Sequence, residues 1–389
     1  MPHPEQVTAP EEVRLDDASR AADLRRAASA AETALLHRPR LLQYDILRLM
    51  AMFGVVLIHV TATAMGSGPG NVAGAPLWLL RPNQLVRWAV PAFAFLTGSL
   101  MWTRHIPLHT KDLVSFFRRR FLVVVVPYLL WAATYFVIGR KIGQGPSAKL
   151  PAGLWPRLVV VFDLVVQGKV WYHLYFIPVV LMLYAVAPAV SPLARRLPWL
   201  LAGVSVAASV LLVDVVTRYV VNHANIRELS LLLLTYVPYA AFGAWYAVDR
   251  ERWDRWLTKV WPLLLAVGVG LHWAEVSGSL TRMSPVASRE FRIAYMQLTI
   301  LGLLGLAVAV TPLLHRRGRP LADASRWSYG VYLSHPLLIT AAQAVLATAG
   351  LAGLWHAPSF VYGAVVVVTG AAFALSAVLH RSRLTSWLV

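Results

Sequence analysis

Cysteine is absent from this 389-residue chain, and charge is scarce, at 14% of residues. The first absence excludes disulfides, thiolate metal sites and a thioester carried on the protein. The second sets the chain apart from soluble domains, where about a quarter of residues are charged. Catalytic signatures are missing too. No Gly-x-Ser-x-Gly elbow, Walker loop or Gly-x-Gly-x-x-Gly occurs, nor the His-x-x-x-x-Asp of soluble acyltransferases. His105 and His109 lie four apart in a basic, proline-containing loop with no acid between them, so no metal site is expected. Carboxylates are not paired for acid–base work: Asp163 falls on a short segment, while Asp214 and Glu275 fall at helix ends where solvation suffices. The first 40 residues hold no apolar core of a secretory signal.

What is abundant is apolar sequence, 58% of the chain. Runs of about 18–25 apolar residues, parted by short basic or Pro/Gly-rich loops, read as membrane spans. The expected spans are 41–64, 78–103, 120–139, 171–190, 198–217, 229–248, 259–276, 293–314, 327–349 and 358–380. The predicted fold is therefore all-α, a polytopic transmembrane bundle of about ten helices. Residues 1–40 read as a mobile tail and 41–389 as one membrane domain. The segment 154–168, "LWPRLVVVFDLVVQG", is too short to span and is predicted to lie in the interface.

The net charge of +18 sits mostly in short loops. Anionic lipid and membrane topology explain that pattern, so nucleic acid is not an expected partner. The tail, the even-numbered connections and the C-terminal end carry more than twice the Lys and Arg of the opposite set. The positive-inside rule then places both termini in the cytoplasm, with the plasma membrane as the expected location.

The first span, "YDILRLMAMFGVVLIHV" (44–60), carries Asp45, Arg48 and His59. At roughly 100° per residue, eleven residues advance about 1100°, close to three turns, so Arg48 and His59 share a face about 16 Å apart. Asp45 lies one turn before Arg48 and can pair with it. Charge inside a span costs roughly 2.5–3.5 kcal/mol and usually faces a watery interior. The shared face predicts a passage from Arg48, towards the cytoplasm, to His59, in the outer half. A neutral imidazole can take the proton of a hydroxyl, whereas arginine cannot act as a base and suits an anionic group.

This Arg-x10-His arrangement resembles the acyltransferase-3 family of integral membrane acyltransferases, in particular the surface-polysaccharide O-acyltransferase branch. Three further stretches are similar to family motifs in the same order: "VPAFAFLTGSLMW" (90–102), "YHLYFIPVVLMLYAVAP" (172–188) and "SYGVYLSHPLL" (328–338). The resemblance implies about ten helices and an acyl-CoA donor, commonly acetyl-CoA, with no bound cofactor. It further implies transfer to a hydroxyl of an extracytoplasmic sugar or glycan, with His59 and Arg48 as the functional pair. Two departures stand out. Val123 and Val124 occupy positions where members often place another arginine before the third-helix proline, and Tyr175 replaces the usual tryptophan. The membrane part is expected to act without a soluble hydrolase-like domain.

Two readings stand for each remaining candidate. His173 is a partner of His59 or the acceptor, or it belongs to an interfacial belt with Trp171 and Tyr172. His335 takes part in the site, or it serves the kink at Pro336. Arg118, Arg119 and Arg120 bind CoA phosphates or only anchor the chain. Arg81 and Arg87 contact an anionic acceptor or lie at the interface. The competing function class is a secondary transporter, which also needs buried charge along a cavity, although the inverted repeats common in transporters are not visible.

Overall fold

The computed structural model describes residues 41–66, 75–104, 109–219, 224–277, 287–314, 318–382 and 385. The expected tail 1–40, His105 and the side chain of Asp214 lie outside the described residues. Among the described residues the chain is helical throughout, without a strand. The helices are α1 (Leu42–Ala64), α2 (Leu77–Leu85), α3 (Ala89–Thr97), α4 (Thr110–Arg120), α5 (Val126–Ile142), α6 (Leu154–Val166) and α7 (Phe176–Arg196). They continue with α8 (Pro198–Tyr219), α9 (Ala224–Val248), α10 (Arg250–Val276), α11 (Ala287–Leu314), α12 (Gly318–Thr348) and α13 (Pro358–Arg381).

Among the described residues, nine segments are long and apolar enough to cross a bilayer, with α2–α3 and α4–α5 each counted as one crossing. The remaining expected span, 198–217, falls on α8, of which Pro198–Leu212 is a shorter apolar stretch. Segment 154–168 forms the 13-residue α6, with Leu154, Trp155 and Phe162 exposed. At about 1.5 Å per residue, α6 is roughly 20 Å long, less than the hydrocarbon thickness.

Helix ends depart from the spans read by hydropathy. α4 begins at Thr110 and passes through a π turn at Phe121–Val125 into α5, so most of the expected loop 104–119 is helical. Likewise α10 starts at Arg250 and α12 at Gly318. Hydropathy marks where a helix enters lipid, whereas Arg, Lys and Glu are good helix formers that extend it beyond. The opposite error occurs at 171–175, expected within a span: helix begins only at Phe176. Gly168, at φ +68°, turns the chain there, and a Cβ on it would lie 2.5 Å from the Leu174 carbonyl oxygen.

α1 is the hub. It packs against α2, α3, α11, α12 and α13, and Leu47, Ala51, Met52, Val56 and Val60 are fully buried. α9 packs against α3 and the π turn Gly98–Trp102 that follows it, and the approach is made at glycines. A Cβ on Gly98 would lie 1.8 Å from the Ala240 carbonyl oxygen, and one on Gly243 would lie 1.9 Å from that of Phe95. Lipid gives no hydrophobic drive between helices, so close backbone approach at small residues supplies the packing. Gly243→Ala is therefore expected to cost about 3 kcal/mol or more, because backbone rather than a flexible side chain must move. Loss of the monodisperse peak in detergent size-exclusion chromatography measures this.

Candidate active site

α1 positions the site. Asn83 of α2 grips the turn that bears His59: its buried Nδ2 donates to the Ile58 carbonyl at 2.8 Å and to Thr61 Oγ1 at 2.9 Å. At the other end, Arg48 Nη1 donates to Ser325 Oγ of α12 at 2.9 Å and lies 3.7 Å from Asp45 Oδ1. Asp45 is 3% exposed, so the pair holds a carboxylate away from water.

Three elements bring histidines together. The His59 ring stacks on that of His335 with centroids 5.2 Å apart, and His173 lies 6.5 Å from His59 and 5.5 Å from His335. Tyr172 closes on His59 at 4.8 Å. His173 and His335 are buried, whereas His59 is half-buried and opens into a cavity. The reading of His173 as part of an interfacial belt is overturned. The loop 169–175 folds into the protein, where Tyr332 donates its hydroxyl proton to the His173 carbonyl. Among the described residues, no three His, Cys, Asp or Glu side chains could hold a metal ion.

His335 stacks on His59 and stands beside the kink at Pro336. Pro336 lacks an N–H, so α12 opens beside it. The Tyr135 hydroxyl enters the opening, donating to the Leu333 carbonyl at 2.6 Å and accepting from the Leu337 N–H at 3.1 Å. One turn back, His335 Nδ1 bonds the Val331 carbonyl at 2.9 Å. A carbonyl only accepts, so Nδ1 carries the hydrogen and Nε2 keeps a lone pair. Among the described residues, that buried Nε2 meets no hydrogen-bond partner, nor does either nitrogen of His173. Tyr135→Phe is expected to cost about 1–3 kcal/mol, since two buried backbone groups lose their shared partner. The apparent melting temperature should fall, and turnover should fall with it as the His335 turn relaxes.

The stripe does not line one continuous passage. Arg48 opens into an apolar cavity of about 280 Å³ with Thr97, Met101, Tyr184, Ser328 and Tyr332 on its wall. His59 opens into a second cavity of about 510 Å³, and the two share no lining residue. Tyr332 and Phe176 face the first cavity; His335 and Tyr236, behind them, approach His59 or line the second. Bulky rings of α7, α9 and α12 therefore wall off what helical periodicity alone joins.

The basic run divides. Arg118 and Arg119 are exposed, while Arg120 turns back, with Nη2 3.4 Å from Met101 Sδ on the rim of the Arg48 cavity and its guanidinium over Phe116. Arg81 and Arg87 also separate. Arg81 covers the Trp273 ring at 4.5 Å, whereas Arg87 lines the His59 cavity. Glu275 is not a merely solvated helix end. One of its oxygens accepts from Arg292 Nη2 at 2.7 Å, the other from the Tyr295 hydroxyl, and both partners line that cavity. Tyr332 precedes His335 by three positions, a spacing that marks one helix face. Asn83 and the Glu275–Arg292 pair carry no such signal.

A family model described as an acyltransferase domain, Acyl_transf_3, matches residues 41–377. The chain belongs to the acyltransferase-3 family. The match takes in every helix that builds the site, from α1 to α12, and most of α13. No curated protein and no solved structure matches the chain. The protein is thus a multi-pass membrane acyltransferase.

Proposed function

We propose that this acyltransferase-3 domain moves an acyl group, by default acetyl, from cytoplasmic acyl-CoA to a hydroxyl of an extracytoplasmic sugar or glycan. The observation that carries the reading is the pair of cavities on one helix, one at Arg48 and one at His59, with imidazoles between them. With both termini in the cytoplasm of a plasma-membrane protein, the Arg48 cavity faces the donor and the His59 cavity the acceptor.

The donor's acyl end enters the apolar Arg48 cavity, and Arg48 and Arg120 supply cationic contacts at its mouth. The acceptor occupies the other cavity with a hydroxyl against His59. Movement of Tyr332 or Phe176 joins the two spaces. His59 then takes the hydroxyl proton as oxygen attacks the thioester carbon. The C–O bond forms, the C–S bond breaks, and the thiolate gains a proton to leave as CoA–SH. His335, with its Nδ1–H fixed, presents its Nε2 lone pair towards the cluster and helps orient His59. His173 and Tyr172 shape the acceptor side. Asp45 holds Arg48 in place.

The test compares mass spectra of envelope glycans from cells with and without the gene. The reading requires an ester-linked acyl mass that disappears with the gene; identical spectra reject it. That difference also names the donor chain length and the acceptor, including whether the acceptor is a surface polysaccharide.

A further inference from the structure

We infer that the His59 cavity takes an anionic sugar and that Arg87 holds its carboxylate or phosphate. The inference rests on the acyl-transfer reading for the cavity's role but on separate residues for its chemistry. Two guanidiniums line the space, those of Arg87 and Arg292, against one carboxylate, that of Glu275. Glu275 is already committed: one oxygen serves Arg292 through both Nε and Nη2, at 3.3 and 2.7 Å, and the other serves Tyr295. Among the described residues, no ion pair engages Arg87. The cavity therefore keeps one cation over, on the wall that also carries His59.

Arg87 is exposed on the cavity wall, and a concave space with an excess of one sign of charge focuses the field and attracts an anion more strongly than a flat surface does. Guanidinium presents a planar fork matched to carboxylate and phosphate oxygens. Around it the lining is aromatic, with Tyr172, Tyr175, Tyr236 and Tyr239 supplying ring surface suited to a pyranose, the Tyr175 and Tyr236 hydroxyls being paired with each other. A volume of about 510 Å³ falls in the range of small-ligand pockets. Arg81, held on Trp273, is outside this set and serves as the control.

The experiment uses the full chain in phosphatidylcholine nanodiscs and ligand-observed NMR titrations with methyl β-D-glucuronide, glucose 6-phosphate and methyl β-D-glucoside. Wild type should bind at least one charged sugar about 10-fold or more tightly than the glucoside, the scale expected of one charge-assisted contact. The better-bound charged sugar tells carboxylate from phosphate. Arg87→Gln should bring charged and neutral sugars to parity, Arg87→Lys should keep part of the preference, and Arg81→Gln should keep all of it. Equal binding in wild type, no binding of any sugar, or a preference that survives Arg87→Gln overturns the proposal. So does loss of the preference in phosphatidylglycerol nanodiscs, which would assign Arg87 to lipid. Labelled acetyl transfer measured on the same samples separates the two claims. Transfer without charge preference sinks the anionic site alone, and charge preference without transfer sinks the transferase reading alone.

Discussion

His59→Ala is expected to lower acyl transfer by about 10²- to 10⁴-fold, the usual contribution of a positioned general base. The Michaelis constant for acyl-CoA should change little, because His59 opens into the cavity opposite the one assigned to the donor. Folding should survive: His59 is half-buried, and the turn is held by Asn83 through the Ile58 carbonyl rather than through the imidazole. His59→Gln, which keeps a polar side chain but cannot take up a proton at neutral pH, should be as inactive as the alanine variant. Steady-state kinetics in nanodiscs, with a melting curve for each variant, measures both parts. A glutamine variant near wild-type activity would assign His59 a packing role.

Arg48→Ala is expected to reduce kcat/KM for acyl-CoA by about 30-fold or more. Truncating one partner of a buried charged pair costs roughly 2–5 kcal/mol, and Asp45 is deeply buried beside it. Two causes contribute, lost contact with the donor and a buried carboxylate deprived of the Arg48 cation. The double variant Asp45→Asn, Arg48→Ala separates them. It should recover much of the thermal stability lost in Arg48→Ala, since no buried charge is left behind, while kcat/KM stays low. Arg48→Lys keeps the charge and loses the fork that reaches Ser325, and is expected to fall between wild type and alanine. Recovery of activity in the double variant would show that Arg48 serves only to neutralise Asp45.

The bundle was legible because lipid imposes a coarse rule: every crossing helix needs about 20 apolar residues, and hydropathy reads that directly. Helix ends were not, since charged residues such as Arg118–Arg120 and Arg250–Arg255 remain helical after leaving the apolar layer. Helical period put Arg48 and His59 on one face, but the single passage expected from it is two cavities, and the approach of His173 and His335 to His59 joins segments that period cannot connect. Three contacts escaped for one reason, that each joins segments far apart in sequence. They are Tyr135 in the opening of α12, Asn83 against the His59 turn, and Arg292 clamped by Glu275. Period and spacing describe one helix at a time, and the wall between the two cavities is made of rings from α7, α9 and α12 together.

The central claim is that donor and acceptor meet from opposite faces of the membrane at His59. Sealed vesicles of defined orientation, carrying the protein and its envelope glycan, test it when labelled acetyl-CoA is supplied to one face at a time. Label should enter glycan on the far side only when acetyl-CoA contacts the face bearing the Arg48 cavity, and His59→Ala vesicles should stay unlabelled. Equal labelling from either face, or full labelling with His59→Ala, would contradict it.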